Sequence, residues 1–242
     1  HVHRHLGMET IHAPMALTFP KMSPACNSVL KNTLFGQRVR YTWKPKQEHI
    51  PLQRPGACKG VLVGGNLSII YSLMGTPSEI DTDGKVLFLE DLDEYLYHID
   101  RMMMNLKRAG KLSGLAGLVV GGMTEMKDNT VPYGRTAEEI IREAVAEYGY
   151  PVAFGFPGGH LPNNYPLILG RNVTFKVGET MDLLHAEPAA AEGTEDHAAG
   201  FGAEVDGEII GHGEGGGRFK VLAAFAGNVR QAARRCVRIG PG

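Results

Sequence analysis

The chain has 242 residues, 25 Lys and Arg against 26 Asp and Glu, a formal net charge of −1 and 43% apolar residues. That balance excludes global disorder and argues against a dedicated nucleic-acid binder, which carries a strong basic excess. Its length allows one or two domains. Glycine is in excess, 32 of 242 residues. Cys26, Cys58 and Cys236 show no CxxC spacing, so a reducing compartment is the default. No apolar run reaches the ~18 residues of a membrane span, and HVHRHLGMET lacks the apolar core of a signal peptide. The chain begins with His1 rather than Met and is read as starting part-way through a longer protein.

Residues 1–60 are basic. The stretch from Arg40 to Pro55, with Trp43, Pro45, Pro51 and Pro55, has little helical periodicity and reads as an extended, solvated connection. An anionic ligand against this basic patch is the other reading. From residue 60 order increases. GVLVGGN is a short apolar run ending in glycine, and LSIIYSLMG follows as a helix candidate. GKVLFLED is a second run, followed by an amphipathic stretch from Glu94 to Ala109 with Leu96, Ile99, Met103 and Leu106 at helical spacing. LAGLVVGG is a third run. TAEEIIREAVAEYG then offers Thr136 as N-cap, acids in the first turn and Gly149 as stop. PVAFGFPGGH is a fourth run. Short runs apolar on both faces, alternating with amphipathic helices, predict an α/β fold with an open, mainly parallel sheet and flanking helices. After about Val177 the chain becomes rich in Ala, Gly and Glu, with twelve glycines in residues 186–242. It reads as an irregular Gly-rich tail, with a weak strand and a basic helix after Arg218. His185, His197 and His212 are too widely spaced to predict a metal site.

In such sheets, sites gather beyond the carboxyl ends of the strands. The first strand ends in Gly64-Gly65-Asn66, the second in Glu90-Asp91, the third in Gly121-Gly122, and the fourth leads to Gly158-Gly159-His160. An acid, an amide, glycines and a histidine therefore converge, the inventory of a hydrolase. Glu90 is placed to orient His160. The pattern alone leaves open a plain helix-initiating role for Glu90, a loop role for His160 and an N-cap role for Asn66. No Lys-Ser/Thr follows the glycine pair, which argues against a P-loop.

The segments IHAPM (11–15), GVLVGGNLSIIYSLMGTP (60–77), GKVLFLEDLDEYLYHIDRMMMNLKRAGKL (84–112), LAGLVVGGM (115–123) and PVAFGFPGGHLPNNYPLILG (151–170) resemble the LD-carboxypeptidase family of serine peptidases. The family includes the microcin self-immunity peptidases. The resemblance spans roughly residues 5–178 and rests on several motifs in order. It implies the C-terminal domain of a two-domain serine peptidase, with Glu90 and His160 as catalytic residues. Gly64, Gly65, Asn66 and Gly159 are then substrate-binding or supporting residues. It further implies removal of terminal D-alanine from muropeptide tetrapeptides during peptidoglycan recycling in the bacterial cytoplasm. The family often forms homodimers, though the sequence does not fix the oligomeric state, and no metal, cofactor, nucleic acid or membrane is expected.

The family's Gly-Tyr-Ser-Asp nucleophile motif is absent from these 242 residues. Its place in the family puts it just before His1, and Ser23, Ser28, Ser68 and Ser72 lack an elbow-like setting. The expected division is a remnant of the N-terminal domain at 1–35, a connector at 36–59, the C-terminal domain at 60–178 and the tail at 179–242. The chain by itself is expected to be inactive. Two other readings stand beside this one. The first is self-immunity, by cleavage of a peptidyl- or aminoacyl-nucleotide antibiotic. The second is a non-catalytic α/β domain that binds a small ligand through Gly64, Gly65 and Asn66.

Overall fold

A computed structural model of the protein describes residues 1–187. The chain opens with α1 (Val2–Leu6), β1 (Thr10–His12) and α2 (Pro24–Leu34). Ser23 caps α2 by accepting the Cys26 N–H at 3.3 Å. The chain continues through β2 (Arg40–Trp43), β3 (Gly56–Asn66), α3 (Leu67–Ser72), β4 (Val86–Leu92), α4 (Leu96–Arg108), β5 (Gly117–Thr124) and α5 (Ala137–Ala144). It ends in β6 (Val152–Ala153), β7 (Leu167–Leu169), β8 (Asn172–Val177) and β9 (Met181–His185). Short 3-10 turns occupy Ala16–Lys21 and Gln47–Leu52.

Seven strands form one sheet in the order β2-β9-β8-β3-β4-β5-β6. The half from β3 to β6 is parallel, with the expected helices between strands. The pairs β3–β8, β8–β9 and β9–β2 are antiparallel. A separate pair joins β1 to β7, also antiparallel. Core residues alternate along β4. Leu87 and Leu89 face the cluster built with α3, α4 and α5, while Val86 and Phe88 face a second cluster with Tyr41, Trp43 and Phe156. Both faces of β4 are buried, so the strand reads as a continuous apolar run. In α4 the buried residues are Ile99, Met102, Met103 and Leu106, the i, i+3, i+4, i+7 stripe of a helix covering a sheet. No helix among the described residues is long and apolar enough to cross a membrane.

Three parts of the sequence reading are corrected. The stretch read as a solvated connection supplies the edge strand β2, whose Tyr41 and Trp43 are buried. The Trp43 indole N–H donates to the Phe154 carbonyl at 3.3 Å. Residues 181–185, read as the start of the tail, form β9 between β2 and β8. The helix begun by Thr136 has the expected cap, and Glu139 answers it in a full capping box. It stops at Ala144 rather than near Gly149, because the Arg54 guanidinium takes the carbonyls of Val145 and Ala146 at 2.8 and 3.2 Å. His197, His212, the basic segment after Arg218 and most of the Gly-rich tail lie outside the described residues.

His185, at the end of β9, is 1% exposed and neither ring nitrogen has a hydrogen-bond partner. Burial, with the Arg171 charge, pushes its pKa down from 6.5 to about 4, and Glu9 opposes this only in part. Between those values the unfolded chain binds a proton that the folded chain does not, so stability rises with pH across that window. The full contribution is about 3 kcal/mol at 1.36 kcal/mol per pH unit. Urea unfolding at pH 7 and pH 4.5 should show a clear loss for the native chain and a smaller one for His185→Phe. Equal losses in the two proteins would refute the assignment.

Candidate active site

The site lies at the carboxyl end of β4, within the strand's last three residues. The register between β4 and β5 shifts between Leu89 and Asp91, where Gly121 and Gly122 of β5 lie opposite the single residue Glu90. Glu90 and Asp91 project to opposite sides. Glu90 is 1% exposed. Its Oε2 accepts the His160 ring Nδ1–H at 2.7 Å and the His160 backbone N–H at 3.2 Å. Its Oε1 lies 3.6 Å from His12 Nε2. The His160 side chain is 49% exposed. With Nδ1 turned to Glu90, Nε2 is the nitrogen left for chemistry, as in an acid–histidine pair.

Gly159 makes this approach possible. At φ +102° it sits where L-residues carry strain, and a Cβ there would lie 2.7 Å from both Glu90 Cβ and Oε2. Its N–H donates to Asn164 Oδ1 at 2.8 Å. The same loop is tied to α2, since Asn163 Oδ1 accepts the Ser23 N–H at 2.9 Å. Thr124 Oγ1 donates to the His160 carbonyl at 3.1 Å. His160 is therefore held at its backbone from β5 and by its ring from β4.

A buried carboxylate is costly unless paired. Burial pushes Glu90 up, but the imidazoles of His12 and His160, by contact and by charge, outweigh it. The group is held below its ordinary value and stays ionised at neutral pH.

On the other side of β4, Asp91 is 2% exposed. It accepts from Asn66 Nδ2 at 2.7 Å and from the Ser68 backbone N–H at 3.0 Å. Asn66 Oδ1 in turn accepts the Ile69 N–H at 3.0 Å. Asn66 thus fills the N-cap role of α3, and Asp91 completes that cap. Ser68 Oγ lies 2.8 Å from Asp91 Oδ2 and 3.0 Å from Glu94 Oε1. Ser72 Oγ donates to the Ile69 carbonyl at 2.8 Å, Ser23 caps α2, and Ser28 is exposed on the same helix. Among the described residues no serine hydroxyl is hydrogen-bonded to His160.

Gly64 lets β3 pair closely with the Phe88 backbone of β4. Gly65 sits in open space, its nearest neighbour for a Cβ being His12 Cδ2 at 3.9 Å. Gly64 and Asn66 border a cleft of about 510 Å³ with Thr10, Ile69, Ser78 and Lys85, and neither Glu90 nor His160 lines it. The structure therefore brings Glu90, His160 and Gly159 into one contact set, with Gly65 beside it, and turns Asn66 toward a different carboxylate. Two participants escape the sequence reading. Asp91 adjoins Glu90, but nothing in the spacing shows which carboxylate faces histidine. His12 lies in IHAPM, and only the β1–β7 pairing carries it to Glu90.

Residues 59–175 match the family described as LD-carboxypeptidase C-terminal domain. The "Probable murein peptide carboxypeptidase" of Bacillus subtilis is 34% identical over 192 residues, covering 76% of this chain and 58% of that protein. The "Murein tetrapeptide carboxypeptidase" of Pseudomonas aeruginosa is 28% identical over 169 residues, covering 67% of this chain and 54% of that protein. The chain thus spans little more than half the length of these relatives. Among solved structures, muramoyltetrapeptide carboxypeptidase from Oxalobacter formigenes superposes with a TM-score of 0.66 at 24% identity, covering 74% of this chain and 61% of that one. The microcin C7 self-immunity protein MccF superposes with a TM-score of 0.62 at 17% identity, covering 76% of this chain and 63% of that one. At those identities the two structures speak to the fold alone.

Proposed function

The chain belongs to the LD-carboxypeptidase family, and on that premise we propose that it carries the acid–base half of a serine carboxypeptidase site. The substrate is a muropeptide tetrapeptide, and the product released is its terminal D-alanine. The observation that carries the reading is the 2.7 Å contact between His160 Nδ1 and the buried Glu90 carboxylate, with the His160 side chain half exposed.

In this mechanism a serine Oγ attacks the scissile carbonyl, and His160 Nε2 takes the hydroxyl proton. Glu90, ionised and clamped, holds the ring in the Nδ1–H tautomer and stabilises the imidazolium. The same nitrogen then gives its proton to the departing D-alanine amine. Water, deprotonated by His160, attacks the acyl-enzyme and frees the shortened peptide. The serine is expected from the family's Gly-Tyr-Ser-Asp segment, which these 242 residues do not contain.

A substrate panel tests this reading. A protein in which a relative's serine-bearing N-terminal segment precedes residue 1 is offered a muropeptide tetrapeptide and an aminoacyl sulfamoyl nucleoside. Release of D-alanine from the tetrapeptide supports the proposal. Cleavage confined to the nucleoside would replace it with self-immunity.

A further inference from the structure

His12 occupies the side of the Glu90 carboxylate opposite His160, and the mechanism above does not use it. Its Nε2 stands 3.6 Å from Oε1, inside ion-pair range though longer than a direct hydrogen bond. His160 holds the other oxygen. The second ring nitrogen of His12, Nδ1, is buried without a hydrogen-bond partner. A ring protonated at Nε2, in either charge state, points that N–H toward Oε1. The ring is fixed from two directions. It meets Phe88 edge-on with centroids 5.2 Å apart, and its backbone is set by the pairing of His12 with Leu167 in β7.

We propose that His12 is a positioning residue, which holds Glu90 Oε1 so that Oε2 alone is presented to His160. The inference rests on the reading of Glu90 and His160 as the acid–base pair and adds the device that aligns them. The last torsion of a glutamate is soft, and an unclamped carboxylate swings either oxygen toward a donor. An imidazole on each oxygen removes that freedom. Among the described residues, the titratable groups acting on Glu90 are His12 from β1 and His160 from the loop after β6. Asp91 is engaged on the far side with Asn66 and Ser68.

The test uses the 242-residue chain and needs no turnover. Nuclear magnetic resonance follows the Glu90 carboxyl carbon against pH and the two His160 ring nitrogens at neutral pH. His12→Phe keeps the ring against Phe88 and removes the donor, whereas His12→Gln keeps an N–H donor. In His12→Phe the Glu90 midpoint is expected to move up, and the His160 nitrogens to lose the signature of one fixed tautomer. His12→Gln is expected to return both toward the native values. A folded His12→Phe with native midpoint and native tautomer would overturn the proposal, as would a Gln variant no closer to native than Phe. Should His12→Phe fail to fold, His12→Ala decides, with restoration by added imidazole expected and no response overturning. In the serine-bearing protein, His12→Phe is expected to lower kcat about tenfold with KM nearly unchanged, the scale for partners that orient a reacting group. Because the resonance readouts do not depend on hydrolysis, loss of the carboxypeptidase reading would leave them intact.

Discussion

Replacing His160 with alanine in the serine-bearing protein is expected to lower kcat for D-alanine release by about 10⁴-fold while the fold survives. The two halves of that expectation come from different observations. The ring is half exposed, and its backbone is held independently by Glu90, Thr124 and the turn that begins at Gly159. Truncation opens no core cavity, but it takes the ring donor from the buried Glu90 carboxylate, so the melting temperature should fall while the backbone contacts keep the chain folded. The chemical step, by contrast, loses the half-exposed base whose Nδ1 is hydrogen-bonded to the buried Glu90 carboxylate. KM should change little, because the ring's work falls in the transition state. Steady-state kinetics with a thermal scan checks both halves. A variant retaining more than a tenth of native kcat would remove His160 from the mechanism.

The second large effect is on folding. Gly64 has φ +132°, and a Cβ there would lie 1.9 Å from the Phe88 carbonyl oxygen. Gly64 and Phe88 are register partners in the β3–β4 pair, so the clash is with a neighbouring strand's backbone. Phe88 cannot retreat, since it is fully buried with its ring against His12 and Phe156. Strain at that φ costs about 1–3 kcal/mol and overpacking about as much again. The sum is a large part of the total stability of an ordinary domain, about 5–15 kcal/mol. Gly64→Ala is expected to be unfolded or nearly so in urea titrations followed by circular dichroism. Gly65→Ala is the control, because Gly65 has φ +133° but open space and should show the strain alone. Equal midpoints for the two variants would show that the approach of Gly64 to the Phe88 backbone of β4 is not as tight as described.

The parallel half of the sheet was legible because its signal is local. GVLVGGN, GKVLFLED and LAGLVVGG are apolar on both faces, and the amphipathic stretches between them have helical spacing. The antiparallel wing was not, because β2, β8 and β9 owe their pairing to partners far along the chain. Tyr41 and Trp43 are buried by Phe156 and its neighbours rather than by anything near them in sequence. The site divides the same way. Glu90 and His160 could be read from where strands end, and Asn66 as a cap from the helix it precedes. Glu90 faces away from Asp91 by ordinary strand alternation, but which of the two faces His160 depends on how β4 is placed in the sheet. His12 required the three-residue strand β1 to find β7.

Inverting the configuration of the substrate's last residue tests the central claim most directly. The serine-bearing protein, given a muropeptide tetrapeptide ending in D-alanine and its L-alanine diastereomer, should release alanine from the first and leave the second intact. Equal hydrolysis of both, or no hydrolysis of the first by a folded protein, would contradict the account.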